Sequence, residues 1–283
     1  MKKSHIDIIN KLAEGELLTH DEWMLLLSTL DVEEREYLRA KAQEVATSNY
    51  GHGVFVRALL EISSYCRNNC YYCGIRASNR NAQRYRLTKE EILECCKEAD
   101  ALGFNTFVMQ GGEDPVQNNA WVVDVVKAIR AAYPEKAITL SVGERSAEAY
   151  AAFKEAGANR FLLRHETRND EHYSQLHPSM MSSENRRQCL MTLKRLGFQT
   201  GSGMMIGSPG QTDEHLYEDI RFLEELQPQM IGIGPFLPAT NTPFKNHSPG
   251  SADKTILMLS LLRLRFPNVL LPATTALATL CSN

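Results

Sequence analysis

The chain has 283 residues, 43% hydrophobic and 23% charged, with a formal net charge of −3. That is ordinary globular composition, long enough for one large α/β domain or two small ones, and the charge makes no electrostatic case for nucleic acid or an anionic membrane. No apolar run approaches the roughly 18 residues of a membrane span, so a cytoplasmic chain is expected.

The N-terminal stretch MKKSHIDIINKLAEG is amphipathic and carries acids, without the apolar core of a signal peptide. Residues 1–50 read as helices. THDEWMLLLSTL opens with a Thr19-x-x-Glu22 capping box, and Asp31 is placed to cap the helix that follows. After Gly51 and Gly53 the pattern changes. Strand-like apolar runs recur at residues 54–62, 105–110, 137–142, 160–166, 200–207, 230–236 and 268–273, separated by amphipathic helical stretches. The first of these is capped by Thr88 and stops at Gly103.

Strand–helix alternation with nearly continuous apolar strands means a parallel sheet covered by helices. Seven such units favour a TIM-type (β/α) barrel over a doubly wound sheet. Residues 1–50 are expected as a helical extension and 51–283 as the barrel. TTALATLCSN at the end is too short for a helix and an eighth strand, so the barrel is expected to lack that strand, to be closed by something else, or to be a fragment.

Seven cysteines are an odd count for a disulfide framework. Cys95, Cys96 and Cys189 lie in helical patterns, as small hydrophobes do, and Cys281 stands alone. Cys66, Cys70 and Cys73 are different. They fall within eight residues in SYCRNNCYYCG, spaced C-x3-C-x2-C, just past the first strand. In a reducing compartment such a cluster points to metal. Structural zinc wants four ligands, commonly two C-x2-C pairs, and only Cys70 and Cys73 form one. Ferredoxin spacing with a remote fourth cysteine also fits poorly. Three thiolates can hold three irons of a four-iron cluster and leave the fourth open.

Other strand ends are polar. QGGEDP supplies Gly111, Gly112 and Glu113, which an ordinary βα turn would also explain. SVGE supplies Ser141 and Glu144, and LLRHET supplies Arg164, His165 and Glu166. Arg164 and Glu166 are either a structural ion pair or ligands at the barrel mouth, since alternate strand residues share a face. Arg186 opens a helix beside Arg187 and reads equally as a solvated surface residue. SPGQT is better explained as a helix cap, by Thr212 or Asp213, than as a site.

C-x3-C-x2-C after the first strand of a (β/α) barrel, with Tyr72 before the third cysteine, resembles the radical S-adenosylmethionine superfamily. The resemblance implies a 4Fe-4S cluster on Cys66, Cys70 and Cys73, with the amine and carboxylate of S-adenosylmethionine chelating the open iron. One electron then cleaves the cofactor to a deoxyadenosyl radical. It further implies cofactor binding by Tyr72, Gly111, Gly112, Glu113, Ser141, Glu144, Arg164, Glu166 and Arg186.

RHET, IGIGPF and PATTA look like the branch of radical maturases that help build the iron–iron hydrogenase cluster, within a biotin synthase-like subgroup. Biotin synthase itself carries a second cluster on strand cysteines, and no cysteine lies in the strands between 105 and 236 here. Methylornithine synthase shares RYRLT and GEDP and stays as the alternative. The branch implies a small iron- or cysteine-derived substrate near Met204, Thr274 and Thr275, an external one-electron donor, and other hydrogenase maturation proteins as partners. Readings of other classes are a non-catalytic cluster scaffold and a zinc-binding barrel.

Overall fold

The computed structural model describes residues 4–281; the first three residues of the N-terminal stretch, and Ser282 and Asn283, lie outside it. Three helices lead the chain: α1 (His5–Ala13), α2 (His20–Ser28) and α3 (Val32–Tyr50). Each begins with a reciprocal capping box, including Thr19 with Glu22 and Asp31 with Glu34. Two backbone donors are thereby satisfied at each N-terminus.

The sheet follows: β1 (Ala58–Ser63), β2 (Thr106–Gly111), β3 (Ala137–Ser141), β4 (Arg160–Leu162), β5 (Gln199–Ser202), β6 (Met205–Ile206), β7 (Met230–Ile231) and β8 (Gly234–Pro235). All pairings are parallel, in the order β1-β2-β3-β4-β5-β7, with β6 paired to β8. A parallel bridge from Met230 to Leu270 adds a seventh position. The order never reverses. A doubly wound sheet needs a reversal, whereas a barrel is wound one way, so the sheet is a TIM-type barrel wall. Its two edges, β1 and Leu270, are not paired with each other among the described residues.

Several strands are shorter than their apolar runs. Val54, Phe55 and Val56 precede β1 and are exposed, because the β1–β2 ladder begins only where Ala58 meets Phe107. The run 200–207 breaks into β5 and β6 at Gly203, and 230–236 breaks opposite it at Gly232. A Cβ on Gly203, whose φ is 152°, would collide with the Gly232 carbonyl oxygen. Glycine there lets two strands approach more closely than side chains allow. The run 268–273 contributes only its single bridge.

The covering helices are α4 (Lys89–Ala101), α5 (Asn119–Ala132), α6 (Ala147–Glu155), α7 (Asp170–Leu176), α8 (Ser183–Arg195), α9 (Asp213–Leu226), α10 (Ala252–Arg265) and α11 (Thr275–Cys281). Thr88 caps α4, and Thr212 rather than Asp213 caps α9. The alternation did not reveal α7, and α11 occupies TALATLC. One core lies under β1–β4, around Phe107, Ile138 and Phe161, and holds Cys96 and Cys189. A second lies under β5–β8 and is shared with the N-terminal helices, where Ile8, Leu12 and Trp23 meet Ile220, Ile231 and Leu261. Residues 4–50 therefore pack into the barrel's own core instead of standing apart.

Candidate functional site

The segment after β1 is irregular, yet its backbone is pinned throughout. It leaves at Ser63 and returns antiparallel at Arg86, with Leu87 N donating to Ile62 O at 2.9 Å. Inside the loop, Arg84 donates to four backbone carbonyls: Ile75 at 2.8 Å, Arg76 at 2.7 Å, Asn79 at 3.2 Å, and Ser64. A guanidinium has five donors in a rigid fork and is suited to such a clamp. Asn79 Nδ2 donates to Gly74 O at 2.7 Å, and Ala77 N to Asn68 O at 2.8 Å. Cys66, Cys70 and Cys73 ride on this loop as half-buried free thiols.

Burial pushes the Cys70 thiol up to about 12, with the nearby Cys73 adding to the rise, and Cys73 is raised mainly by burial too. Such thiols ionise only against strong positive charge, which metal supplies. Among the described residues no three His, Cys, Asp or Glu side chains converge on a single ion. Thiolates that each hold a different iron of one cluster need not converge, so the donor set fits an iron–sulfur cluster.

The turn after β2 lies directly against this loop. A Cβ on Gly112 would collide with the Tyr65 carbonyl oxygen and lie 2.6 Å from Cys66 Cβ. Glu113 is buried, with Oε2 accepting from Arg67 Nε at 3.0 Å and Oε1 from Glu144 N at 3.0 Å. Its carboxylate is thus already engaged. Asp114 accepts from Arg86 Nε at 2.6 Å, Arg86 Nη2 at 3.0 Å and Ser63 Oγ at 2.6 Å. Burial alone would raise its pKa, but these bonds outweigh burial and hold it below the usual carboxylate range. The Arg86 guanidinium in turn lies 3.6 Å over the Tyr65 ring.

The opposite wall holds charges that are paired by distance but not by hydrogen bonds. Arg164 Nη2 lies 3.0 Å from Glu166 Oε2, and Arg186 Nε lies 2.7 Å from Glu144 Oε1. All four atoms are buried without a hydrogen-bond partner. Glu166 has φ 68°, a left-handed backbone costing a non-glycine residue about 1–3 kcal/mol. It is pinned there by Glu166 N donating to Gly203 O at 3.0 Å. Burial alone would lower the Arg186 pKa, but Tyr173, Glu144, Tyr72 and Glu166 around it outweigh that and raise it. Arg186 is buried, so the reading of it as a solvated residue does not hold.

A cavity of about 590 Å³ opens between the two walls. Cys66, Cys73, Tyr72, Gly111, Gly112, Glu113, Ser141, Arg164, Glu166 and Arg186 all line it, while Glu144 stands behind Arg186. His165, between Arg164 and Glu166, points the other way: its ring reaches Ser202 Oγ at 2.9 Å and Asp219 Oδ1 at 3.1 Å, all buried. Met204 is fully buried in the second core and is not on the cavity wall. Thr274 accepts from Leu277 N at the start of α11, and Thr275 is exposed; neither lines this cavity.

The sequence reading did not single out Arg67, Arg84, Asp114, Tyr173 or His177. Tyr72 OH donates to His177 Nε2 at 3.0 Å, and His177 stacks on Tyr173 at 3.9 Å. Since α7 is short and follows a polar turn, its pattern carried no signal. RYRLT, with Arg84 and Arg86, was the one stretch that could have signalled the clamp.

The sequence profile of the Radical SAM superfamily matches residues 60–223. The chain is 43% identical over 274 residues to the [FeFe] hydrogenase maturase subunit HydE of Thermotoga maritima, covering 97% of this chain and 78% of that protein. It is 31% identical over 265 residues to the 3-methylornithine synthase of Methanosarcina acetivorans, covering 93% and 75%. The crystal structure of methylornithine synthase (PylB) superposes with a TM-score of 0.87 at 30% identity, covering 94% of this chain and 78% of that one.

Proposed function

We propose, from the premise that the chain belongs to the radical SAM superfamily, that it is a maturase acting in assembly of the iron–iron hydrogenase active-site cluster. As a family member it is an enzyme using a 4Fe-4S cluster and S-adenosylmethionine. The single observation that carries the site assignment is the facing of two walls across one cavity. A clamped loop, with Cys66 and Cys73 on the cavity wall and Cys70 off it against Met181, stands opposite buried charged atoms that lack hydrogen-bond partners.

In this reading Cys66, Cys70 and Cys73 would hold the cluster, which when loaded supplies one electron for reductive cleavage of the cofactor to a deoxyadenosyl radical. Arg84 fixes the loop before metal arrives, so little chain entropy remains to be lost on loading. Arg186 and Arg164 offer cations, and Glu166 an anion, to the carboxylate and ammonium of the methionine end. Gly112, having no side chain, lets the β2 turn close against Tyr65 and Cys66.

Methylornithine synthase is the more distant relative, at 31% identity against 43%. The test begins with anaerobic reconstitution with iron and sulfide, followed by dithionite and S-adenosylmethionine. Deoxyadenosine should form in the native protein and fall to background in Cys66→Ala, Cys70→Ala and Cys73→Ala. Restoration of hydrogenase activity in cells lacking their own maturase then supports the specific role. Cofactor cleavage without restoration would sink the maturase assignment and leave the family intact.

A further inference from the structure

The chain is acidic overall, but the surface over the cysteine loop is not. Residues 64–83, 176–183 and 236–250 contain no Asp or Glu. They carry Arg67, Arg76, Arg80, Lys245 and His247. These three segments are far apart in sequence and meet in space. Tyr71 N donates to Leu176 O at 3.0 Å, Phe244 N to Tyr71 O at 3.4 Å, and Asn81 Nδ2 to Asn241 Oδ1 at 3.2 Å. Arg80, Lys245 and His247 are exposed, and Arg76 sits 5.7 Å over the Tyr71 ring. Among the described residues neither Arg80 nor Lys245 makes an ion pair. On the 176–183 segment of this surface Met180 is 81% exposed, and its neighbour Met181 brings Sδ to 3.7 Å from Cys70 Sγ.

The carboxylates at the edge of this surface, Asp170 beside Ser183 and Glu184, are both paired to Arg187, so the free exposed charges are cationic. Such a patch on a chain of opposite net charge acts on a partner of complementary sign, raising the encounter rate more than the final affinity. An exposed methionine adds an adaptable apolar contact. Transient redox encounters need only small interfaces, below about 1,200 Å².

We propose that this surface docks an acidic one-electron carrier protein, and that its electron enters past Met181 and Cys70. The inference rests on the radical SAM reading above, which requires a reductant. In the transfer the carrier is oxidised by one electron and the thiolate-held cluster is reduced by one. No bond breaks and no proton moves in that step.

The probe is a purified acidic flavodoxin in its reduced state, mixed with the reconstituted protein while cluster and flavin absorbance are followed in stopped flow. Reduction should slow at least about tenfold between low and high salt in the native protein. Arg80→Glu with Lys245→Glu should slow it about as much at low salt and flatten the salt dependence. Lys97→Glu with Lys127→Glu, an equal change of net charge on the outer helices α4 and α5, should leave it unchanged. Dithionite, a small molecule needing no docking surface, should drive cofactor cleavage equally in all three. Should charge reversal perturb the loop, Arg80→Gln with Lys245→Gln gives the same reading with a smaller slowing.

Equal slowing by both charge-reversed pairs, or native rates in the Arg80 and Lys245 pair, would overturn the proposal. Failure of dithionite-driven cleavage in the native protein strikes the enzyme reading instead. Titration of oxidised flavodoxin, which needs no turnover, would then still report on the surface: affinity weakened by Arg80→Glu with Lys245→Glu supports docking, and unchanged affinity refutes it.

Discussion

The barrel has a cavity at each end, and the larger one is at the end without the cysteines. The cavity at the strand N-termini measures about 840 Å³, against about 590 Å³ at the C-terminal mouth. It is lined by Val54, Phe55, Val56 and Phe104, with Arg57 and Arg160 among them. Those arginines form no ion pair among the described residues and burial lowers the pKa of both, but each has a hydrogen-bond partner: Arg160 Nε donates to Gln199 Oε1 at 2.7 Å, and Arg57 Nη1 reaches Met230 Sδ at 3.3 Å. At the mouth, by contrast, Arg164, Glu166 and Arg186 keep buried atoms without hydrogen-bond partners, and Glu166 keeps a strained backbone. Volume does not separate the two ends. What separates them is hydrogen-bonding capacity: the mouth holds ion pairs of both signs whose buried atoms still lack hydrogen-bond partners, which a ligand can complete.

The sharpest way to break this comparison is to remove one charge at each end. Glu166→Gln keeps the shape and the backbone but deletes the anion, and should weaken S-adenosylmethionine binding by about 2–3 kcal/mol, roughly 30- to 150-fold. Calorimetric titration of the reconstituted protein reads this directly. Arg160→Met at the far end should leave cofactor affinity unchanged. Equal losses from the two variants would mean that the unpartnered atoms carry no special meaning.

The ends should also differ in acid. Burial lowers the His177 pKa to about 3 from an ordinary 6.5, so the ring is neutral when folded, accepting from Tyr72 OH and donating to Tyr173 O. His172, on the same helix, is lowered by burial as well. The unfolded chain binds protons at these rings that the folded chain does not, so stability is full above 6.5 and falls as pH drops below it. For His177 alone the loss between pH 7 and pH 5 is about 2 kcal/mol. No histidine lines the far cavity. Hydrogen exchange on lowering pH should therefore open residues 66–76 before residues 104–106, and His177→Asn should reduce the difference. Simultaneous opening of both segments in the native protein would contradict this placement of the titrating groups.

How much of this could be read from residues alone differs between the two cores as well. Period and caps located α4, α5, α6, α8, α9 and α10 to within a residue or two, because each buries a stripe and begins at a Thr, Ser or Asn, whereas the short α7 and α11 escaped. The cysteines were legible because their spacing is local. Arg84 and Asp114 were not, since their partners are backbone carbonyls and an arginine that only the folded loop brings near. Strand lengths were overestimated wherever apolarity continued past the last pairing, as at Val54–Val56. The split at Gly203 was invisible because it depends on Gly232 across the sheet.

Met204 gives the smallest effect and the finest test. The family resemblance implied a place near the substrate for it, but after the break at Gly203 it lies in the second core, with Ile206 and Ile231. A residue that only fills space tolerates a swap of similar volume, so Met204→Leu should change stability by less than about 1.5 kcal/mol. The KM values for S-adenosylmethionine and for the substrate should not move, and Thr275→Ala, on an exposed helix start, should behave alike. A shift in substrate KM with unchanged stability in Met204→Leu would put that side chain back on the cavity wall. Such a result would mean that the strand rearranges at Gly203 when substrate binds, and that the second core is less settled than the first.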